Sequence, residues 1–291
     1  MNKLLALVAA LQAITMANAA EVRVLTYNIH HGEGTDGRLD LERIATIILS
    51  QTPDVVCLQE IDKNLSRTNR IDFPARLAEL LKMNVAYGPN YFFDDGEYGN
   101  ATLSRFPIVH EENIPLPTPK GIEPRGVLKV VLKIDTEELT VFNTHWGLKP
   151  DQRKEQAAAL LKHLPQKHVV VAGDLNEESD ATGVSQLLGP LRDSYLSGEK
   201  NAPGTIGQGE NSHRIDFILA SPDLNVLSSR VVVSADAQIA SDHAPYLAVL
   251  SLASPTERDP IQGDHGDQGD RLNKAIRREP PTWPEKNTGS R

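Results

Sequence analysis

The sequence predicts an α/β protein of the α+β kind, with two packed sheets flanked by helices rather than one doubly wound sheet. Three observations predict it. Nine short runs are mostly β-branched and bounded by Gly, Pro, Asn or Asp; only three stretches show helical spacing; and no internal repeat is present.

In chain order, "VRVLTYNI" (22–29) and "DVVCLQEI" (54–61) read as strands on either side of a helix at 39–50, where Leu41, Ile44, Ala45 and Ile48 share a face. A second helix is expected around Phe73 to Leu81. "NATLSRFPI", "GVLKVVLKI" and "LTVFNTHW" supply strands from 100 to 146, and a third helix runs from Asp151 to Leu164. "HVVVAGDLN", "RIDFILA", "RVVVSA" (230–235) and "PYLAVLSL" complete the strands. The aromatic stretch "YGPNYFFDDGEYGN" (87–100) is expected to be a loop with its rings buried beneath it. Presentation of Tyr91, Phe92 or Phe93 for base stacking or a lipid surface is the alternative.

Both ends separate from this body. Residues 1–19 carry Lys3, an apolar stretch from Leu4 to Met16 and small residues at Ala17 and Ala19, the pattern of a signal peptide cleaved after Ala19. The stretch is shorter than the roughly 20 residues needed to span a bilayer. An exported protein is expected, periplasmic or extracellular if bacterial. Residues 254–291 are rich in Pro, Gly and charge, with almost no periodic apolar residues, and read as a disordered tail. The body, 20–253, is then one domain with a net charge of roughly −10, which argues against gripping nucleic acid by bulk charge. The single cysteine, Cys57, lies in the apolar run "VVCLQ" and reads as a small buried hydrophobe.

The informative residues are polar ones at strand ends. Asn28, Glu60, His145, Asp174 with Asn176, Asp216, and Asp242 with His243 each end, enter or precede an apolar strand, where an unpaired polar group is costly. They are expected to converge on one another. Carboxylates, amide oxygens and imidazoles together suit a hard divalent cation, Mg2+ or Mn2+, that keeps sites for water and phosphate. A structural zinc site is disfavoured by the lack of thiolates and of paired-histidine spacing. Taken singly, Asp242 could be a cap, Asn28 a turn residue and Glu60 half of an ion pair.

"TYNIH", "VVCLQEID", "GNATLSRFPI", "EPRGVL", "NTHWG", "AGDLN", "RIDFIL" and "SDHAP" resemble, in this order, the successive motifs of the endonuclease/exonuclease/phosphatase superfamily. The resemblance covers about Val22 to Leu252. It implies a deoxyribonuclease I-like, four-layered sandwich of two packed mixed β-sheets flanked by helices, with a metal-dependent site at one edge. It also implies that Glu60 is the main metal carboxylate, with Asn28 and Asp242 near it. Asp174 and Asn176 would orient the attacking water and contact the phosphate or a second cation. His243 would be the general base or a phosphate ligand, oriented by Asp216. His145 would stabilise the phosphorane-like transition state, and Arg125 in "EPRG" would be a further phosphate clamp.

The expected activity is divalent-metal-dependent phosphodiester hydrolysis, with nucleic acid the leading substrate. A phospholipid or sphingomyelin-type diester, or a phosphomonoester, is the alternative, and a non-catalytic binding module the least favoured. No obligate protein partner is inferred, and a monomer is expected. His30, His31, His110, His163 and His168 match no motif and read as surface or loop residues, with His213 undecided. Arg67 and Arg70 read equally as substrate contacts or a solvated charge cluster, and Trp146 as a wall of the leaving-group pocket.

Overall fold

Two six-stranded mixed sheets lie face to face in the computed structural model, which describes residues 20–195, 203–207 and 209–252. The first sheet has the order β11-β12-β1-β2-β4-β3 and the second β5-β6-β7-β8-β10-β9. The strands are β1 (Glu21–Asn28), β2 (Val55–Lys63), β3 (Asn84–Phe93), β4 (Gly96–Ser104), β5 (Ile108–Pro115), β6 (Gly126–Ile134), β7 (Glu137–His145), β8 (Val169–Asp174), β9 (Arg192–Asp193), β10 (Asp216–Ala220), β11 (Asn225–Val231) and β12 (Tyr246–Ser251). The pairs β1/β2 and β7/β8 are parallel, and the other neighbours antiparallel. The chain separates into two units, Met1–Thr256 and Glu257–Arg291, and every described residue belongs to the first. The expected signal peptide and tail lie outside the described residues. Among the described residues no helix is long and apolar enough to cross a membrane.

Strand periodicity explains the layers. In β1, Val22 and Val24 join the core between the sheets, whereas Leu25 and Tyr27 face outward. In β8, Val170 and Ala172 face inward, while Val169 and Val171 face outward. Each outer face is covered by helices. Helices α1 (Leu41–Ser50), α2 (Phe73–Leu81) and α5 (Ala235–Ala240) place Ile44, Ile48, Leu77 and Ala237 on the first sheet. Helices α3 (Pro150–Leu161) and α4 (Thr182–Leu187) place Ala157, Leu160, Val184 and Leu187 on the second. Burying each such Leu, Ile or Val contributes about 1.5–3 kcal/mol, which is what holds the four layers together. Capping fixes the starts of α1 and α2, where Asp40 and Asp72 accept from the N–H groups of Arg43 and Ala75.

Three departures from the sequence reading have local causes. The stretch 87–100 is not a loop but most of the β3–β4 hairpin, which leaves Phe92 67% and Phe93 42% exposed at its tip. Strand β5 carries the polar run His110 to Asn113 because it is a sheet edge, where exposed charges discourage pairing with another chain. The run 230–235 supplies only the end of β11. Ser234 instead caps α5, its hydroxyl accepting from Ala237 N–H.

A buried polar layer pins the two sheets beneath one edge. Asn143 of β7 donates through Nδ2 to the carbonyls of Leu58 (3.1 Å) and Ala101 (2.9 Å), and its Oδ1 accepts from Gln59 Nε2 at 2.8 Å. A side chain bonded this fully across a core costs little to bury and fixes the offset of the sheets.

Candidate active site

That offset brings the predicted polar residues to one edge. Asn28 ends β1 and His145 and Asp174 end the parallel pair β7/β8, while Asp216 opens antiparallel β10 and His243 precedes β12. Register does the rest: Asp174 pairs with His145 on one side and with Asp216 on the other. Gly173 is required here, since its φ is +143° and a Cβ would lie 1.9 Å from the Thr144 carbonyl oxygen.

Glu60 reaches the edge by a different device. The β2/β4 register shifts between Leu58 and Ile61, so an extra residue is inserted there, and Glu60 takes a left-handed φ of 60°. Simple alternation would turn Glu60 to the helix side with Leu58. The bulge re-aims it.

Asp174 is the centre of the cluster and is 1% exposed. Its Oδ2 accepts from Asn28 Nδ2 at 3.0 Å and lies 3.4 Å from His145 Nε2 and 3.6 Å from His243 Nε2. Its Oδ1 accepts from the Asn176 backbone N–H at 2.9 Å. Asn28 Nδ2 also donates to Glu60 Oε1 at 3.1 Å, so one amide bridges the carboxylates of both sheets. His243 Nδ1 lies 2.8 Å from Asp216 Oδ2, while Asp216 Oδ1 is buried without a partner. Asn176, at φ 53°, donates through Nδ2 to the Trp146 carbonyl at 2.8 Å, which fixes its amide.

Arg125 lies behind His145, with Nη1 2.9 Å from His145 Nδ1 and 2.8 Å from Glu123 Oε1. Asp242 is half-buried, and its Oδ1 accepts from Ser241 Oγ at 3.4 Å. The single proton of that hydroxyl is shared with the Asn28 carbonyl, which is nearer at 2.8 Å, so the Ser241 side chain ties the segment carrying Asp242 to the cluster.

Burial is the largest influence on Asp174 and pushes its carboxyl up to about 6; His243 opposes that rise and Asp216 adds to it. For His243, burial pulls the pKa down, but Asp216 and Asp174 together outweigh it and raise the imidazole to about 10. Without a bound cation, protons therefore offset the crowded negative charge.

The donor set fits a hard divalent cation. Glu60 and Asp174 present carboxylate oxygens on either side of one amide, and such a cation prefers oxygen ligands. Glu60 would hold it with Asp242, and Asn28 would join them with its amide turned over, since Nδ2 now faces both carboxylates and Oδ1 accepts from the His30 N–H at 3.1 Å.

Four residues lie elsewhere than expected. Trp146 is fully buried in the core between the second sheet and its helices and walls no pocket. Arg67 is neither free nor merely solvated: it grips fully buried Asp62 through Nε (2.7 Å) and Nη2 (2.6 Å), and lies over the rings of Phe93 and Tyr98. His30 and His31 sit beside Glu60, not away from the site. Burial, and then the Arg67 guanidinium, hold the His31 imidazole below its ordinary range. His213 pairs with Glu178 at 2.5 Å.

Sequence reasoning also missed a buried support. Arg153 Nε donates to Glu177 Oε2 at 2.8 Å, and its Nη1 donates to the Leu148 carbonyl at 2.6 Å. Glu177 Oε1 accepts from Val184 N–H at 2.6 Å, and Gln156 Oε1 from Gly147 N–H at 2.9 Å. These bonds fasten the turn after His145 and the turn after Asn176 to α3 and α4. No motif marked Arg153 or Glu177.

This chain belongs to the Endonuclease/Exonuclease/phosphatase family, whose profile matches residues 25–243. The fold is the deoxyribonuclease I-like sandwich of that family, whose members typically use a divalent metal. The uncharacterized protein YbhP of Escherichia coli K12 is 34% identical over 172 residues, covering 53% of this chain and 66% of YbhP. An endonuclease/exonuclease/phosphatase from Beutenbergia cavernae is similar in structure, with a TM-score of 0.71, 27% identity, and coverage of 80% of this chain and 72% of that one. The human Nocturnin catalytic domain with bound sulfate shares the fold, with a TM-score of 0.63, 22% identity, and coverage of 79% and 93%.

Proposed function

We propose that this chain is an exported, Mg2+-dependent phosphodiesterase that hydrolyses nucleic-acid phosphodiester bonds as a monomer without an obligate protein partner. The observation that carries this reading is the convergence on Asp174 of Asn28, His145 and His243, with Arg125 directly behind His145. A tetrahedral, doubly substituted phosphate presents oxygens to such a ring of donors on several sides. The sulfate held by the human Nocturnin domain is an oxyanion of the same shape.

The chain's own residues divide the work. Arg125 can only donate, so Nδ1 of His145 is its acceptor and Nε2 of His145 carries a proton aimed at the site. That N–H stabilises charge developing on a non-bridging oxygen. Asp216 orients the His243 ring, leaving Nε2 facing Asp174, and the Asp174/His243 pair positions the attacking water and takes its proton. Asn176, fixed by the Trp146 carbonyl, supplies a further polar contact. A cation held by Glu60, Asn28 and Asp242 would withdraw charge from the phosphate and its leaving group.

The β3–β4 tip favours a substrate with bases. Lys63 pairs with Glu97 close to the tip, so the tip stands roughly 10 Å beyond Glu60 along β2 at ~3.3 Å per residue. Phe93, packed on the Tyr91 ring at 4.4 Å with Arg67 5.8 Å from its centroid, offers a ring for base stacking on one face of the hairpin, while exposed Phe92, the preceding residue, offers another on the opposite face. The acidic body makes binding weak and salt-sensitive.

The test is nicking of supercoiled plasmid by the purified chain in Mg2+, alongside excess chelator and Asp174→Asn. Metal-dependent nicking that falls by about a hundredfold or more in the variant is expected. If the folded protein cleaves a small diester or a monoester but not plasmid, the nucleic-acid assignment fails. If it cleaves none of them, the hydrolase assignment fails. Export predicts a mature N-terminus at Ala20, read by mass spectrometry of the secreted chain.

A further inference from the structure

We propose that His30, His31 and Glu60 form a second cation position, suited to a borderline ion such as Zn2+, which shares the Glu60 carboxylate with the hard-cation position beside Asn28. One ring nitrogen of each histidine and one Glu60 oxygen lie within 4.8 Å of one another. Two imidazoles and a carboxylate are a donor set that zinc takes with its fourth position left open. Around such an ion, tetrahedral ligand atoms stand about 3.4 Å apart, so the three would have to draw closer than the 4.8 Å within which they now lie.

Adjacent histidines do not ordinarily converge, since consecutive side chains diverge in a strand or helix. Here the backbone is bent to bring them together. His30 and His31 both take left-handed φ values, 46° and 43°, and their rings meet edge to face with centroids 4.5 Å apart. Gly32 follows at φ 79°, with the Phe73 ring occupying the place a Cβ would need. Left-handed non-glycine residues cost of the order of 1–3 kcal/mol each, and His30, His31 and Glu60 all bear this cost at one place. Left-handed residues also occur in surface turns of this chain, Asn69 and Arg70 among them, but at His30, His31 and Glu60 the bent backbone brings three side chains able to ligate a metal to face one another.

The polar group behind His30 is arranged as around a metal-bound histidine. His30 Nδ1 lies 3.0 Å from the Glu33 carbonyl oxygen, which only accepts, so Nδ1 carries the proton and Nε2 keeps its lone pair. A backbone carbonyl fixing the tautomer from behind is the usual outer partner of a ligating imidazole. The side chains are half-buried, open enough for an ion to enter.

The test is spectroscopic and needs no substrate. The full chain, purified without a polyhistidine tag and stripped of metal, is titrated with Co2+, whose visible absorption reports four-coordinate binding, and Zn2+ is then used to displace it. The variants are His30→Asn, His31→Asn and Glu60→Gln, asparagine being chosen because it tolerates the left-handed backbone. Asp216→Asn disables the other cluster of candidate ligands, Asp174, Asp216 and His243. The expected result is one Co2+ band, displaced by Zn2+, weakened at least tenfold in the three variants and retained in Asp216→Asn. No band in the wild-type chain, a band unchanged in His31→Asn, or a band lost in Asp216→Asn overturns the proposal. Each of those results leaves Mg2+-dependent hydrolysis standing, because that reading is measured separately.

Discussion

Nη1 of Arg125 stands 2.9 Å from Nδ1 of His145, a contact in which the guanidinium can only be the donor. The contact therefore holds the imidazole in the tautomer whose Nε2–H faces Asp174, 3.4 Å away. Replacing Arg125 by Met removes the lock without emptying the space. Turnover should fall by about ten- to a hundredfold, an effect of outer-partner size. Nitrogen-15 chemical shifts should show His145 as the Nε2–H form in the wild type and as a mixture in the variant. An unchanged tautomer in Arg125→Met would mean that the guanidinium does not set it.

The second prediction concerns stability and pH in the metal-free protein. His243 is raised from 6.5 to about 10, and Asp174 from 3.8 to about 6, so the folded state holds more protons than the unfolded chain through both intervals. Stability from His243 is fully present below pH 6.5 and is lost as pH rises through 10. The rise at Asp174 acts in the same direction at lower pH. The thermal midpoint of the metal-free protein should therefore fall between pH 6.5 and 10, and His243→Gln should flatten that slope. A slope identical in the variant would assign the pH dependence to other groups.

The third prediction concerns the buried ion pair. Arg153 and Glu177 have side chains 10% and 3% exposed, and both also bond the backbone around the site. Arg153→Met leaves Glu177 buried and unpaired, a loss of about 3–5 kcal/mol in urea unfolding. Adding Glu177→Gln to that variant should cost less than the two single losses together, because the stranded charge is gone. Additive losses would show that the two side chains do not act as a pair.

Much of the site was legible because it is written at strand ends. Asn28, His145, Asp174 and Asp216 each interrupt an apolar alternation on the face that turns inward, and a polar group there must find partners. The β3–β4 hairpin and β5 were less legible. Their faces are solvated, so burial did not impress an apolar period on Tyr91 to Phe93 or on His110 to Asn113. His30 and His31 were passed over because adjacency in sequence says nothing of convergence until the dihedral angles are known. Arg153 and Glu177 sit in segments with no distinguishing pattern, and only packing makes them partners.

By itself the sequence determined the alternation of apolar strand residues, the capped helices and the identity of the polar groups at strand ends. Those follow from local rules of period and solvation. Tertiary structure decided which polar groups meet. The β7/β8/β10 register places His145 and Asp216 on either side of Asp174, the bulge turns Glu60 inward, and Asn143 fixes the sheet offset that lets Asn28 bridge Glu60 and Asp174. Register and offset depend on contacts between residues far apart in the chain, and no local stretch of sequence carries them.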